Sequence, residues 1–168
     1  MLVFVPVTPV ELESWAQTGR LRPGSAYAVT SSLSAAFGFA PADAEDAEHT
    51  VLHIAGLAAL LRAGRRLVAV AEAPATPVPG AEFGDVRVGA LGFAAVTALF
   101  GDLDAPGVQA LGERLAGAPL GAAWDDPAVA DLLADNELSW HGPTEWRSLV
   151  PTVIPGSAPG SQSAGDQP

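Results

Sequence analysis

The chain opens on a run that is apolar at every position, "LVFVPV" from Leu2 to Val7. Such a run fits a central strand covered on both faces. "TPVE" follows: Thr8 is a natural N-cap, Pro9 suits the first helical position and Glu11 completes a capping box. The helix this predicts runs to about Thr18, stops at Gly19 and buries Leu12 and Trp15. A short strand over Ala26–Thr30 comes next, with Ser31 or Ser32 capping a helical turn from Leu33 to Phe37. Acidic residues then open the longest helix, about Ala44 to Ala63, closed by Gly64. At about 100° per residue, Val51, Ile54, Leu57, Leu60 and Leu61 form one broad apolar stripe on it.

"RRLVAVAEAP", Arg65 to Pro74, reads as another strand apolar on both faces. "ATPVPGAEFG" reads as a Pro/Gly loop that stays out of a sheet interior. "DVRVGAL" alternates, with Val86 and Val88 inward and Arg87 outward, as a half-exposed or edge strand does. Val96, Thr97 and Phe100 make "AAVTALFGD" a strand, and "DAPGVQALGERLAG" and "DPAVADLLADN" amphipathic helices. "ELSWHG" is a last short strand with Leu138 and Trp140 inward. The order strand–helix–strand–helix–strand predicts an α/β fold, a mixed and partly parallel sheet flanked by helices, with an α+β sandwich as the alternative. Residues 1–150 are expected to form one globular domain. Residues 151–168, rich in Pro, Gly and Ser, are expected to form a disordered tail.

Composition narrows the function classes. The net charge is −11, from eight arginines, no lysine and 19 carboxylates. A nucleic-acid backbone needs clustered cations, so no nucleic-acid partner is expected. The same charge repels anionic lipid. Without cysteine, disulfides and thiol chemistry are excluded. "MLVFVPVTPV" lacks a basic start and is broken by prolines, so a signal peptide is not expected and the cytoplasm is the default location.

Three segments together carry a resemblance: "VFVPVTPVELESW", "AYAVTSSLSAAF" and "ELSWHGPTEW", with "RRLVAVAEAP" between them. Over residues 1–147 the chain resembles a family of small uncharacterised actinobacterial proteins known only as a domain of unknown function. Pro6 and Thr8 match its strand–proline–Thr–helix opening, and Glu45, Asp46 and Glu48 match the carboxylates that start its long helix. His49 stands where the family often has tyrosine. The resemblance implies no activity.

The chemistry-bearing residues fall into three groups. Glu45, His49 and His53 lie four residues apart along one helical flank. Thr50 occupies the position where H-E-x-x-H has its glutamate, so the group reads as the polar border of a buried helix; no metal and no cofactor is expected. Trp140, His141, Glu145 and Trp146 crowd into one short stretch, able to bind a ligand or peptide or simply to close the core. Thr8, Thr30, Ser31, Ser32 and Glu72 fall at the carboxyl ends of the expected strands, where open parallel sheets bind ligands. Glycine-rich phosphate loops and the G-x-S-x-G elbow are absent. The leading expectation is a non-catalytic binding or regulatory module, with a protein or small molecule as partner. The alternative is a small-molecule enzyme using Glu72 or Glu145 as general base beside His141.

Overall fold

The computed structural model describes residues 1–102 and 106–152. Its elements, in chain order, are β1 (Leu2–Pro6), α1 (Pro9–Thr18), β2 (Arg20–Leu21), α2 (Ser31–Phe37), α3 (Ala44–Ala63), β3 (Leu67–Glu72), β4 (Ala75–Pro77), β5 (Val86–Val88), β6 (Leu91–Gly92), β7 (Val96–Gly101), α4 (Pro106–Leu115), α5 (Leu120–Trp124), α6 (Pro127–Asp135) and β8 (Ser139–His141). The tail expected after Val150 lies, from residue 153, outside the described residues.

Local chemistry sets the helix ends. Glu11 N–H donates to Thr8 Oγ1 at 3.1 Å and Thr8 N–H donates to the Glu11 carboxylate at 2.9 Å, closing the capping box of α1. Gly19 ends α1 and Gly64 ends α3, both in the left-handed region at φ 81° and 70°. Thr30, rather than Ser31 or Ser32, caps α2: its Oγ1 accepts from Leu33 N–H at 3.2 Å.

The main sheet has the order β1-β3-β7-β8, and every strand pair among the described residues is antiparallel. This overturns the partly parallel sheet; the architecture is α+β. The reason lies in where α3 delivers the chain. Val7 N–H bonds Leu67 O at 3.0 Å, so β3 starts beside the point where β1 finishes and runs back along it. A parallel β3 would have to start beside Leu2 instead.

The expected strand Ala26–Thr30 shrinks to single-residue bridges at Tyr27. Phe4 and Tyr27 exchange both backbone hydrogen bonds, and Tyr27 also bridges Asp85. These contacts occupy the outer side of β1 at Phe4. The proline loop does contribute a strand, since β4 pairs with β5 in a small hairpin, with Pro77 on an edge where it breaks no interior ladder. The short helix α5 carried no signal of its own in the sequence.

Alternation divides the core. Val3, Val5, Leu67, Ala69 and Leu99 face α1 and the turn Pro143–Leu149, together with Leu12, Trp15, Trp146 and Leu149. Phe4, Val68 and Val70 face α3 at Val51, Ile54 and Ala55. The far side of α3, at Leu57 and Leu60, packs on Val108, Leu115, Val129 and Leu132 of α4 and α6. Each fully buried Val or Leu contributes at most about 1.5–3 kcal/mol. Among the described residues no helix is long and apolar enough to cross a membrane.

A buried arginine clamp and the candidate functional site

Antiparallel pairing scatters the residues expected to converge. Thr8 follows β1 at the end of the sheet where β3 begins, whereas Glu72 ends β3 at the opposite end. Thr8 and Thr30 spend their hydroxyls as helix caps, and Ser31 is exposed in the first turn of α2. Glu72 is exposed and pairs across the sheet with Leu2, on the α3 face. His141 pairs with Leu99, which faces α1. Leu99 also pairs with Ala69, so His141 lies two strands across from β3 and level with a residue three positions before Glu72. These offsets are about 10 Å along the strands and about 10 Å across them. Opposite faces and that separation prevent Glu72 and His141 from sharing a proton. Among the described residues the strand ends alternate in direction, so they form no common crevice.

The last stretch stays together only locally. Glu145 accepts from Gly142 N–H at 2.6 Å, which holds its carboxylate in the turn after β8. His141 is half-buried, and its Nε2 has no hydrogen-bond partner among the described residues. Trp146 is buried against the core and carries the Arg147 guanidinium 4.4 Å from its ring centre. Trp140, expected inward, points out instead and is 62% exposed. It pairs with Phe100 on the α3 face of β8, the last strand in the sheet order.

The polar centre of the fold was not foreseen. Arg66 is fully buried. It occupies the same alternation as Val68 and Val70, so its side chain runs under α3 beside Gly56, where a Cβ would sit 3.6 Å from Arg66 Cδ and 3.3 Å from Leu138 Cδ1. Arg66 Nε donates to Asp102 at 3.0 Å, Nη2 donates to Asp102 and, at 2.9 Å, to Asn136 O, and the Arg66 backbone N–H donates to Asp102 at 3.1 Å. Asp102 N–H returns a bond to Arg66 O at 3.3 Å. One guanidinium thus ties the start of β3, the end of β7 and the segment leading to β8. The second nitrogen, Nη1, has no partner among the described residues. The available signal was an arginine in phase with an apolar strand face, but "RR" offers two candidates, and only Arg66 is in phase.

His53 adjoins this clamp. It is 7% exposed, and its Nε2 lies 2.8 Å from His49 Nε2 with the rings nearly perpendicular. Burial, then the neighbouring His49 and the Arg66 charge, push its pKa down from 6.5 to about 4. The imidazole is therefore neutral at pH 7. His53 Nδ1 also has no partner among the described residues. Glu45, four residues before His49, does not complete a group: among the described residues no three His, Asp or Glu side chains gather as metal ligands would.

A family model described as a family of unknown function (DUF6912) matches residues 1–150. The chain belongs to that family. No curated protein and no solved structure matches it. Family membership carries no reaction, so the chemistry of this DUF6912 chain rests on its own geometry. An open cleft of about 730 Å³ lies between the end of α3 and α4, lined among others by Arg62, Arg65, Asp102, Gln109 and Glu113. Its more buried acid, Asp102, already accepts from Arg66 at both oxygens. Arg62 is bound to Glu11 and to Pro6 O. A second hollow of about 240 Å³, at Val29, Phe39 and Ala47, is mostly apolar. Neither brings a nucleophile and a base together.

Proposed function

We propose that this protein is a non-catalytic binding module of the cytoplasm that takes up an extended, basic segment of a partner protein along the outer edge of β8. The observation that carries the reading is the exposed Trp140 on that edge strand. An unpaired edge displays backbone donors and acceptors, and an aromatic side chain beside it supplies the contact that such pairing needs. The opposite side of the sheet is less open, because Tyr27 pairs with Phe4 and Val86 N–H bonds Ala26 O. In "DVRVGAL", Val86 is bonded on both sides, to Ala26 O and to β4.

The partner's charge follows from this chain's own. A net −11 opposes a second copy at the same edge, and Asp135, Glu137 and Glu145 are exposed around β8. The enzyme reading gains nothing from a Glu72 and a His141 that lie on opposite faces.

The test combines capture with hydrogen exchange. The wild-type chain should retain a basic protein from native lysate, with retention falling as salt rises. Trp140→Lys should lose it while melting as the wild type does, since lysine on an edge strand blocks pairing. Adding the isolated partner should slow amide exchange within Ser139–His141. Capture that survives Trp140→Lys, or unchanged exchange in β8, rejects the reading.

A further inference from the structure

We infer that His49 and His53 form a two-imidazole chelate for a late first-row divalent ion, copper(II) in preference to nickel(II) and zinc(II), on the first half of α3. The inference is independent of strand addition at β8. It starts from convergence: the two Nε2 atoms are 2.8 Å apart on successive turns of a rigid helix. Two ligands on one helix cost no chain entropy to bring together on binding.

The separation selects the geometry. With metal–nitrogen bonds of about 2.0–2.1 Å, tetrahedral ligation places two nitrogens roughly 3.4 Å apart, whereas neighbouring corners of a square lie at about 2.9 Å. The observed 2.8 Å matches the square, which is the preference of copper(II) and nickel(II). Two protein ligands leave the remaining corners to water.

The protonation states allow it. A metal needs a bare Nε2 on each ring, with each ring's proton on Nδ1. Which nitrogen of a histidine carries the proton is fixed by the partner of the other. In the metal-free chain one Nε2 donates to the other at 2.8 Å, so binding displaces that proton; His53 Nδ1, which has no partner among the described residues, can take it by tautomer exchange. Access is from the His49 side, which is exposed and has the carboxylates of Glu45 and Glu48 on the same helix. The Arg66 charge works against any cation here and limits the affinity.

The experiment titrates the untagged full-length chain, freed of metal, with copper(II), nickel(II) and zinc(II) chloride in separate runs at pH 7.5. Calorimetry reads affinity, and paramagnetic resonance reads the copper ligands. The expected result is one ion per chain, nitrogen splitting from two imidazoles, and the order copper over nickel over zinc. His49→Ala, at an exposed position, should weaken copper binding at least ~10-fold with an unchanged melting temperature. Undiminished binding in His49→Ala would place the ion on the N-terminal amine or the carboxylates and overturn the inference. Splitting from fewer than two imidazole nitrogens, or zinc as the tightest ion, would overturn it as well.

Discussion

Asp102→Ala is the substitution that most directly probes the clamp. It removes the acceptor of three Arg66 donors, Nε, Nη2 and the backbone N–H. Among the described residues the guanidinium would keep only Asn136 O while remaining fully buried. An uncompensated buried charge costs about 3–5 kcal/mol. Against a total stability of about 5–15 kcal/mol, that is enough to leave the domain marginal. Arg66→Met removes the charge but keeps most of the aliphatic length under α3. The abandoned Asp102 borders an open cleft that water can enter, so the cost falls to about 1–3 kcal/mol. Joining the two changes removes both charges. The double variant should then be more stable than Asp102→Ala alone by at least about 2 kcal/mol. Urea unfolding at 25 °C measures all three, with an unchanged slope confirming that midpoints can be compared. A loss below about 1 kcal/mol for Asp102→Ala, or a double variant equal to the sum of the singles, would refute the account of Arg66 as a buried charge held by one carboxylate.

Three further outcomes follow from the packing. His53 has a folded pKa of about 4 against 6.5 when exposed, so the unfolded chain binds the proton first and stability falls as pH drops from about 6.5 towards 4. The full loss is about 3 kcal/mol, and in chelator-treated buffer His53→Phe should lose less stability than wild type between pH 7 and pH 4.5. Trp15→Phe strands Leu91 O, which Trp15 Nε1 bonds at 3.0 Å in a buried site, and should lower stability by about 1–3 kcal/mol in calorimetric melting. Gly112→Ala gains about 1 kcal/mol of helix propensity, yet its Cβ would meet the Gly64 Cα at 2.8 Å. Overpacking costs about 1–3 kcal/mol, so the measured melting temperature should fall, and a rise would show that α4 can shift away from α3.

What the sequence determined by itself is what neighbouring residues decide among themselves. Thr8 with Glu11 fixes the start of α1, and Gly19 and Gly64 fix helix ends, because caps and left-handed turns are completed within a few positions. The bounds of α3, the two-sided burial of β1 and β3, and the strand at Val96–Gly101 were legible for the same reason. Tertiary structure alone decided the direction of β3, because that depends on where a twenty-residue helix sets the chain down, and no local pattern records it. It decided that Trp140 faces solvent, since β8 lies at the sheet's edge. It also decided which arginine is buried. Asp102 and Asn136 lie 36 and 70 positions away from Arg66, and a buried charge is tolerable only where such distant partners meet it.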